Sequence, residues 1–203
     1  LFQNGLGSQQ QVTETWPDRP VLAASTTEGA NRPAPGLTVH AGRGTTWVGA
    51  LDPAGNPLVE RVAQQLASSG LMVHPEHDIL ARLWQKLVIN AGINAFTAIL
   101  DCPNGEILTQ PFYLQWIAPL CEEISRLLPA AGQPQQAPED LRETIEAVAR
   151  KTAANTSSMR ADVKAGRTTE IDFINGYLAR LGHQHGIPVQ VNQMLAEQVQ
   201  QLN

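Results

Sequence analysis

The run Leu83-Trp84-Gln85-Lys86-Leu87-Val88-Ile89-Asn90-Ala91-Gly92-Ile93-Asn94 constrains this chain more than any other stretch. It is apolar and helix-favouring, yet Lys86, Asn90 and Asn94 interrupt it at four-residue steps. At about 100° per residue, such steps hold all three polar groups on one narrow stripe of a helix. A core helix has no use for that stripe, because burying an ammonium and two carboxamides without partners is costly. One polar residue in such a run is ordinarily a satisfied core residue. Three in register point to a pocket wall.

The periodicity changes character along the chain. Before residue 77, short strand-like runs alternate with glycine and proline. They are Val21-Leu22-Ala23-Ala24-Ser25-Thr26-Thr27, Leu37-Thr38-Val39-His40 and Thr45-Thr46-Trp47-Val48-Gly49-Ala50. Asn31 to Gly36 reads as a turn-rich connector between the first two. Leu58, Val62 and Leu66 at four-residue spacing predict an amphipathic helix over Pro57 to Ser69, and Leu71 to His74 predicts one more strand. Strands alternating with a helix describe the later part of an α/β sheet domain.

From Asp78 onward the pattern is helical. Helices are expected over Ile79 to Leu100, Tyr113 to Leu128, Glu139 to Ala154, from Thr169-Glu170 to Gly186-Ile187-Pro188, and over Val191 to Leu202. The second should bury Leu114, Ile117, Leu120, Cys121, Ile124 and Leu128, with a kink at Pro119. The reading is a sheet unit over residues 1–76 and an all-α unit over 77–203, with no internal repeat.

Composition excludes several roles. The net charge of −5 and the lack of a basic run argue against nucleic acid or an anionic membrane as partner. No apolar run approaches the roughly 18 residues of a membrane span. Cys102 and Cys121 form no disulfide framework and no metal-ligand pattern with histidine, so they read as reduced thiols of a cytoplasmic protein. The chain begins Leu1-Phe2-Gln3-Asn4, without an initiator methionine, and reads as a fragment that starts at a strand end.

Other polar residues have a plain reading beside a functional one. Thr169 with Asp172 looks like a capping-box-like helix start, which places Glu170 at the first helical position, where the helix dipole favours its anion. Ser158 reads first as a cap for a helix at Met159, and second as a carboxylate-binding hydroxyl. Asn4-Gly5-Leu6-Gly7 and Gly42-Arg43-Gly44 lack the third glycine of a dinucleotide fingerprint, with Gln10 and Trp47 at that place. His40, His74, His77, His183 and His185 have no nucleophile or ligand pattern nearby.

Taken in order, these segments resemble the ketopantoate reductase (2-dehydropantoate 2-reductase) family. Asn4-Gly5-Leu6-Gly7 is similar to the turn after a late strand of its Rossmann domain. Ser25-Thr26-Thr27-Glu28-Gly29-Ala30 is similar to the next strand end, where the family often has histidine in place of Glu28. Lys86-x-x-x-Asn90-x-x-x-Asn94, followed by Asn104 in Cys102-Pro103-Asn104-Gly105-Glu106, resembles the family's catalytic helix and the turn after it. Ser157-Ser158-Met159 with Asp162, and Thr169-Glu170-Ile171-Asp172-Phe173-Ile174-Asn175-Gly176, resemble its two later signatures. The last of these is the most specific.

The resemblance implies a Rossmann remnant followed by an all-α domain like the C-terminal domain of 6-phosphogluconate dehydrogenase. It implies reduction of ketopantoate to pantoate with NADPH, on the way to pantothenate and coenzyme A. Lys86 would be the proton donor. Asn4, Asn90, Asn94, Asn104 and Ser158 would bind substrate, while Asn4, Ala30 and Glu170 would touch the nucleotide. An anionic Glu170 would hold Lys86 charged and oriented. No metal is implied, and a homodimer is compatible with the resemblance. The family's N-terminal G-x-G-x-x-G loop is missing, so the fragment is expected to be inactive by itself. Two rival readings stay open: a related reductase of another 2-keto acid, and a non-catalytic helical module for ligand binding or dimerisation.

Overall fold

The computed structural model describes residues 1–202, with Pro33 described by its backbone alone. Contacts divide the chain into two compact units, Leu1–Trp84 and Gln85 onward. The boundary falls inside a helix. The first turns of that helix pack on the sheet of the first unit, which is why it lies later than the change in periodicity near residue 77.

The first unit is built on a three-stranded sheet in the order β1-β4-β5. Strands β1 (Leu22–Thr26) and β4 (Thr46–Ala50) are antiparallel, with Leu22 opposite Ala50 and Thr26 opposite Thr46. β4 and β5 (Val73–Pro75) run parallel, joined by helix α2 (Asn56–Ala67) as a βαβ crossover. Helix α2 buries Val59 and Ala63, while Leu58, Val62 and Leu66 flank that seam half-buried. The apolar stripe is therefore centred one position later than the leucine spacing indicates. The strand expected at Leu71 to His74 begins at Val73, because Leu71 and Met72 are exposed, at 41% and 59%.

Two elements of this unit differ from the sequence reading. Helix α1 (Ser8–Thr15) has the sequence SQQQVTET and buries only Gln9, so it carries no apolar period to detect. The stretch read as a connector at Asn31 to Gly36 is largely strand β2 (Gly29–Ala34), which pairs with β3 (Leu37–Gly42) as a two-stranded ribbon. The register shifts between Asn31 and Ala34, so Pro33 falls in an irregularity of the ladder, a place where proline is tolerated in a strand. The turn itself is only Pro35-Gly36, with Gly36 at φ 75°. His40 on this ribbon lies 2.6 Å from the Glu28 carboxylate.

Helix α3 (Ile79–Ile99) opens against the sheet. A side chain at Gly49 would lie 2.5 Å from the Ile79 Cβ, so the two backbones approach closely, and the Arg82 guanidinium sits 4.1 Å above the Trp47 ring.

The second unit is helical throughout. After α3 come α4 (Pro111–Ala130), α5 (Pro138–Lys151), α6 (Ser158–Lys164), α7 (Asn175–His185) and α8 (Gln190–Gln200). Ile117, Leu120, Cys121, Ile124, Leu127 and Leu128 form the buried face of α4, which continues through Pro119. Leu114, expected on that face, is 50% exposed, and Tyr113 takes the inward place, its ring 4.9 Å from that of Phe96. The aromatic pair fills more of the core than a leucine could.

Candidate active site

The polar stripe is a property of α3 as built. Lys86 and Asn90 are half-buried, and Asn94 is buried to 8% exposure. One turn further on, the Thr97 hydroxyl is fully buried and bonds both the Asn94 carbonyl, at 2.9 Å, and the Ser157 hydroxyl, at 2.7 Å. The wall that carries the asparagines is thereby tied to the start of α6.

Glu170 belongs to the same unit as Lys86, and its carboxylate field reaches the Lys86 ammonium. Burial of the amine works in the opposite direction and is the larger effect, so the Lys86 pKa lies below the ordinary lysine value. Glu170 therefore favours the charged form of Lys86, the direction expected of it, while burial is the larger and opposing effect.

The local structure at Glu170 also differs from the sequence reading. No long helix starts at Thr169. Glu170 is the N-cap of a short 3₁₀ turn, Ile171–Phe173, without a side-chain cap bond, and α7 starts only at Asn175. The capping box of Thr169 with Asp172 is not formed. Instead the Asp172 carboxylate accepts from Gln200 at 2.7 Å, and its carbonyl accepts from Arg180 at 2.8 Å. Tertiary partners pull Asp172 away from its local role. The 3₁₀ turn leaves Glu170 half-buried.

Ser158 is corrected as well. The N-cap of α6 is Ser157, whose hydroxyl accepts from the Arg160 N–H at 3.1 Å. Ser158 is the first helical residue, and its side chain is exposed. The capping role falls to its neighbour.

Asn104 is 9% exposed, in a loop laid against the segment after α5. Its N–H donates to the Asn155 carbonyl at 3.0 Å, and its Nδ2 donates to the Thr152 hydroxyl at 3.0 Å. The Thr152 hydroxyl itself donates to the Val148 carbonyl at 2.8 Å. Asn104 Oδ1 is left buried with no hydrogen-bond partner. Just before this loop, Asp101 adopts φ 46° after the end of α3, in the left-handed region usual for helix termini. Arg160 holds it there, through its carboxylate at 2.8 Å and its carbonyl at 2.9 Å.

In the first unit, Asn4 is half-buried in a turn with Gly5 at φ 78° and Gly7 at φ 102°, backbone states that glycine adopts freely. Helix α1 follows with no side-chain cap. Ala30 is exposed on β2 opposite His40. The second unit thus brings together Lys86 and Glu170, with Asn90 and Asn94 on the lysine's own helix. Sequence reasoning missed Thr97, Ser157, Thr152 and Asn175. Two of these carried a signal: Ser157, adjacent to the serine read as the cap, and Asn175, inside the signature Thr169 to Gly176.

Comparison with known proteins identifies the family. The family described as "Ketopantoate reductase PanE/ApbA C terminal" matches residues 78–203, and "Ketopantoate reductase PanE/ApbA" matches residues 1–53. The 2-dehydropantoate 2-reductase of Archaeoglobus fulgidus is 36% identical over 96% of this chain and 64% of its own length. That of Vibrio cholerae is 37% identical over 100% of this chain and 67% of its own. The chain thus spans about two thirds of the length of these relatives. Among solved structures, the probable 2-dehydropantoate 2-reductase of Bacillus subtilis is 30% identical with a TM-score of 0.82, covering 100% of this chain and 67% of that one. A D-mandelate dehydrogenase solved with NADH and anilino(oxo)acetate shares the fold, with a TM-score of 0.88 at 24% identity over 99% of this chain and 65% of its own. With family matches over both its sheet-bearing start and its entire helical part, the chain belongs to the ketopantoate reductase family.

Proposed function

We propose that the enzyme carrying this chain reduces ketopantoate to pantoate with NADPH, in the cytoplasm. The observation that carries this reading is the buried-in-part Lys86, under the field of Glu170 and on one helix face with Asn90 and Asn94. The names of the relatives from Archaeoglobus fulgidus and Vibrio cholerae support the substrate.

The turn at Asn4 suits a hydrogen-bonding ligand such as the nucleotide. It has two glycines at positive φ, the helix behind it has no side-chain cap, and the Ser8 hydroxyl at its start is buried with no hydrogen-bond partner. Asn4 and Ala30 would hold the nucleotide, and Glu170 is assigned the same role. When bound, the reduced nicotinamide supplies a hydride to the 2-keto carbon.

The chain's own residues do the rest. Negative charge grows on the 2-keto oxygen, and an ammonium at Lys86 stabilises it and then gives that oxygen its proton. A lowered pKa makes Lys86 a stronger acid than an exposed lysine, which suits a donor working near neutral pH. Asn4, Asn90, Asn94 and Asn104 offer amide donors and acceptors for a substrate with a hydroxyl and a carboxylate. Ser158, exposed on the first turn of α6, would donate to the carboxylate. Glu170 keeps the lysine oriented.

Replacement of Lys86 by alanine in the intact enzyme tests the assignment. The expected loss in kcat with ketopantoate is at least about 100-fold, the usual contribution of a positioned acid. A variant with full turnover removes Lys86 from the chemistry. Rates on ketopantoate and on smaller 2-keto acids separate this reading from a reductase of another keto acid. Calorimetry with pantoate shows whether the site binds the acid at all.

A further inference from the structure

Asn175 is 0% exposed at the first position of α7, five residues after Glu170 in sequence. Its Nδ2 makes two bonds, one to the Ala91 carbonyl of α3 at 3.3 Å and one to Asn192 Oδ1 of α8 at 3.2 Å. Both partners are acceptors, so the amide has one allowed orientation, since a flip would press its oxygen against two oxygens. In the allowed orientation Asn175 Oδ1 is buried without a partner. A fully buried amide that leaves its own oxygen unsatisfied is a poor way to gain stability, because such an atom carries the full desolvation penalty.

The partner on α8 is fixed in turn. Asn192 donates its Nδ2 to the Glu123 carboxylate at 2.8 Å, and the same carboxylate accepts the Val191 and Asn192 N–H groups at 2.7 and 3.0 Å. Glu123 is only 3% exposed and Asn192 is 0% exposed. A charged acceptor at the start of α8 therefore clamps Asn192, and Asn192 presents its oxygen to Asn175. The chain of bonds ends on the helix that carries Lys86 and Asn90, at the residue next to Asn90.

We propose that Asn175 is a positioning residue that fixes the Glu170 turn against the Lys86 helix. Between Glu170 and Asn175 lies only the 3₁₀ turn Ile171–Phe173 and Ile174, which is 0% exposed. Such a short, packed link transmits the position of its anchored end to Glu170. The anchor grips Ala91, five residues beyond Lys86 on the same helix. The proposal rests on the Lys86–Glu170 pair described above and adds the residue that sets its geometry.

The test reads the field of Glu170 at Lys86 directly and needs no turnover. The chain has three lysines, Lys86, Lys151 and Lys164, so ε-¹³C-labelled lysine gives few resonances, and Lys86→Arg assigns the relevant one. Titration gives the Lys86 pKa with and without Glu170→Gln. In the parent chain this substitution should lower the Lys86 pKa, because it removes a charge that raises it. In Asn175→Ala the same substitution should produce less than half of that shift. Leu178→Ala, which removes a fully buried apolar side chain from the same helix, serves as control and should keep the whole shift. If Asn175→Ala does not fold, Asn192→Ala removes the clamp while sparing the Ala91 bond, and it should also reduce the shift.

An equal Glu170→Gln shift in the parent and in the Asn175 or Asn192 variant overturns the proposal. So does a shift reduced as much in the Leu178 control. The failures are distinguishable: full turnover in Lys86→Ala removes the proposed chemistry and leaves this coupling intact, whereas an undiminished shift removes the role of Asn175 and leaves the chemistry intact.

Discussion

Glu170 and Lys86 act on each other across the helical unit, and burial decides the outcome: the lysine keeps a pKa below its ordinary value although a carboxylate faces it. A proton donor must start protonated. The rate of keto-acid reduction should therefore fall as pH rises through the Lys86 pKa, with the alkaline limb of kcat/KM below the range of an ordinary lysine. Glu170→Gln removes the effect that opposes burial, so the limb should move to still lower pH. The same shift has a sign in stability. Between the lowered folded pKa and the higher unfolded one, the unfolded chain binds more protons, so stability rises with pH across that window. Rate profiles of the intact parent and Glu170→Gln check the first point; a limb that stays put or moves up contradicts it.

Ser157 and Ser158 should separate cleanly. Ser157→Ala removes an N-cap and the Thr97 bond together, and should cost about 1–2 kcal/mol by urea denaturation. Ser158→Ala touches an exposed side chain and should stay within about 0.5 kcal/mol in stability, as surface changes do. Its effect should be seen in KM for the keto acid. A reversed pattern would return Ser158 to the capping role that its sequence position first indicates.

That reversal marks how far the sequence could be read. The Lys86, Asn90 and Asn94 stripe was legible because one helix fixes the relative direction of its own side chains. Strands β1, β3 and β4 were legible from their own runs. What escaped depends on partners distant in sequence. Asp172 forms a capping box only if nothing competes, and Gln200 and Arg180 compete. Tyr113 displaces Leu114 inward because Phe96 is there to receive it. Helix α1 has almost no apolar face, and β2 contains a proline that sits in a register irregularity of its ribbon. The interplay of Asn175, Asn192 and Glu123 spans three helices and has no local signature.

Gly92 lies between Asn90 and Asn94 because α5 packs there. An added Cβ would lie 2.6 Å from Cδ1 and 2.7 Å from Cγ2 of Ile145, which is fully buried. Gly92→Ala gains helix propensity but overpacks this contact, and should destabilise by about 1–3 kcal/mol. Pairing it with Ile145→Ala should give a smaller total loss than the sum of the two single changes, because the cavity of one receives the methyl of the other. Additive losses in denaturation would mean that the helices separate freely at this point.

Glu123 offers the sharpest stability test. Its carboxylate accepts three bonds, from the Val191 and Asn192 backbones and from the Asn192 amide, in a site 3% exposed. Glu123→Ala leaves three buried donors without an acceptor, and no water-facing side lets solvent replace it. The loss should be about 2–4 kcal/mol, given roughly 1–3 kcal/mol for a single orphaned buried group and partial relaxation of the others. Glu123→Gln keeps one strong acceptor and adds an NH₂ that must face a donor, so its loss should fall between the parent and Glu123→Ala. Urea denaturation of the three proteins gives the order. If the glutamine variant proved the least stable of them, donor repulsion rather than lost acceptance would govern the start of α8.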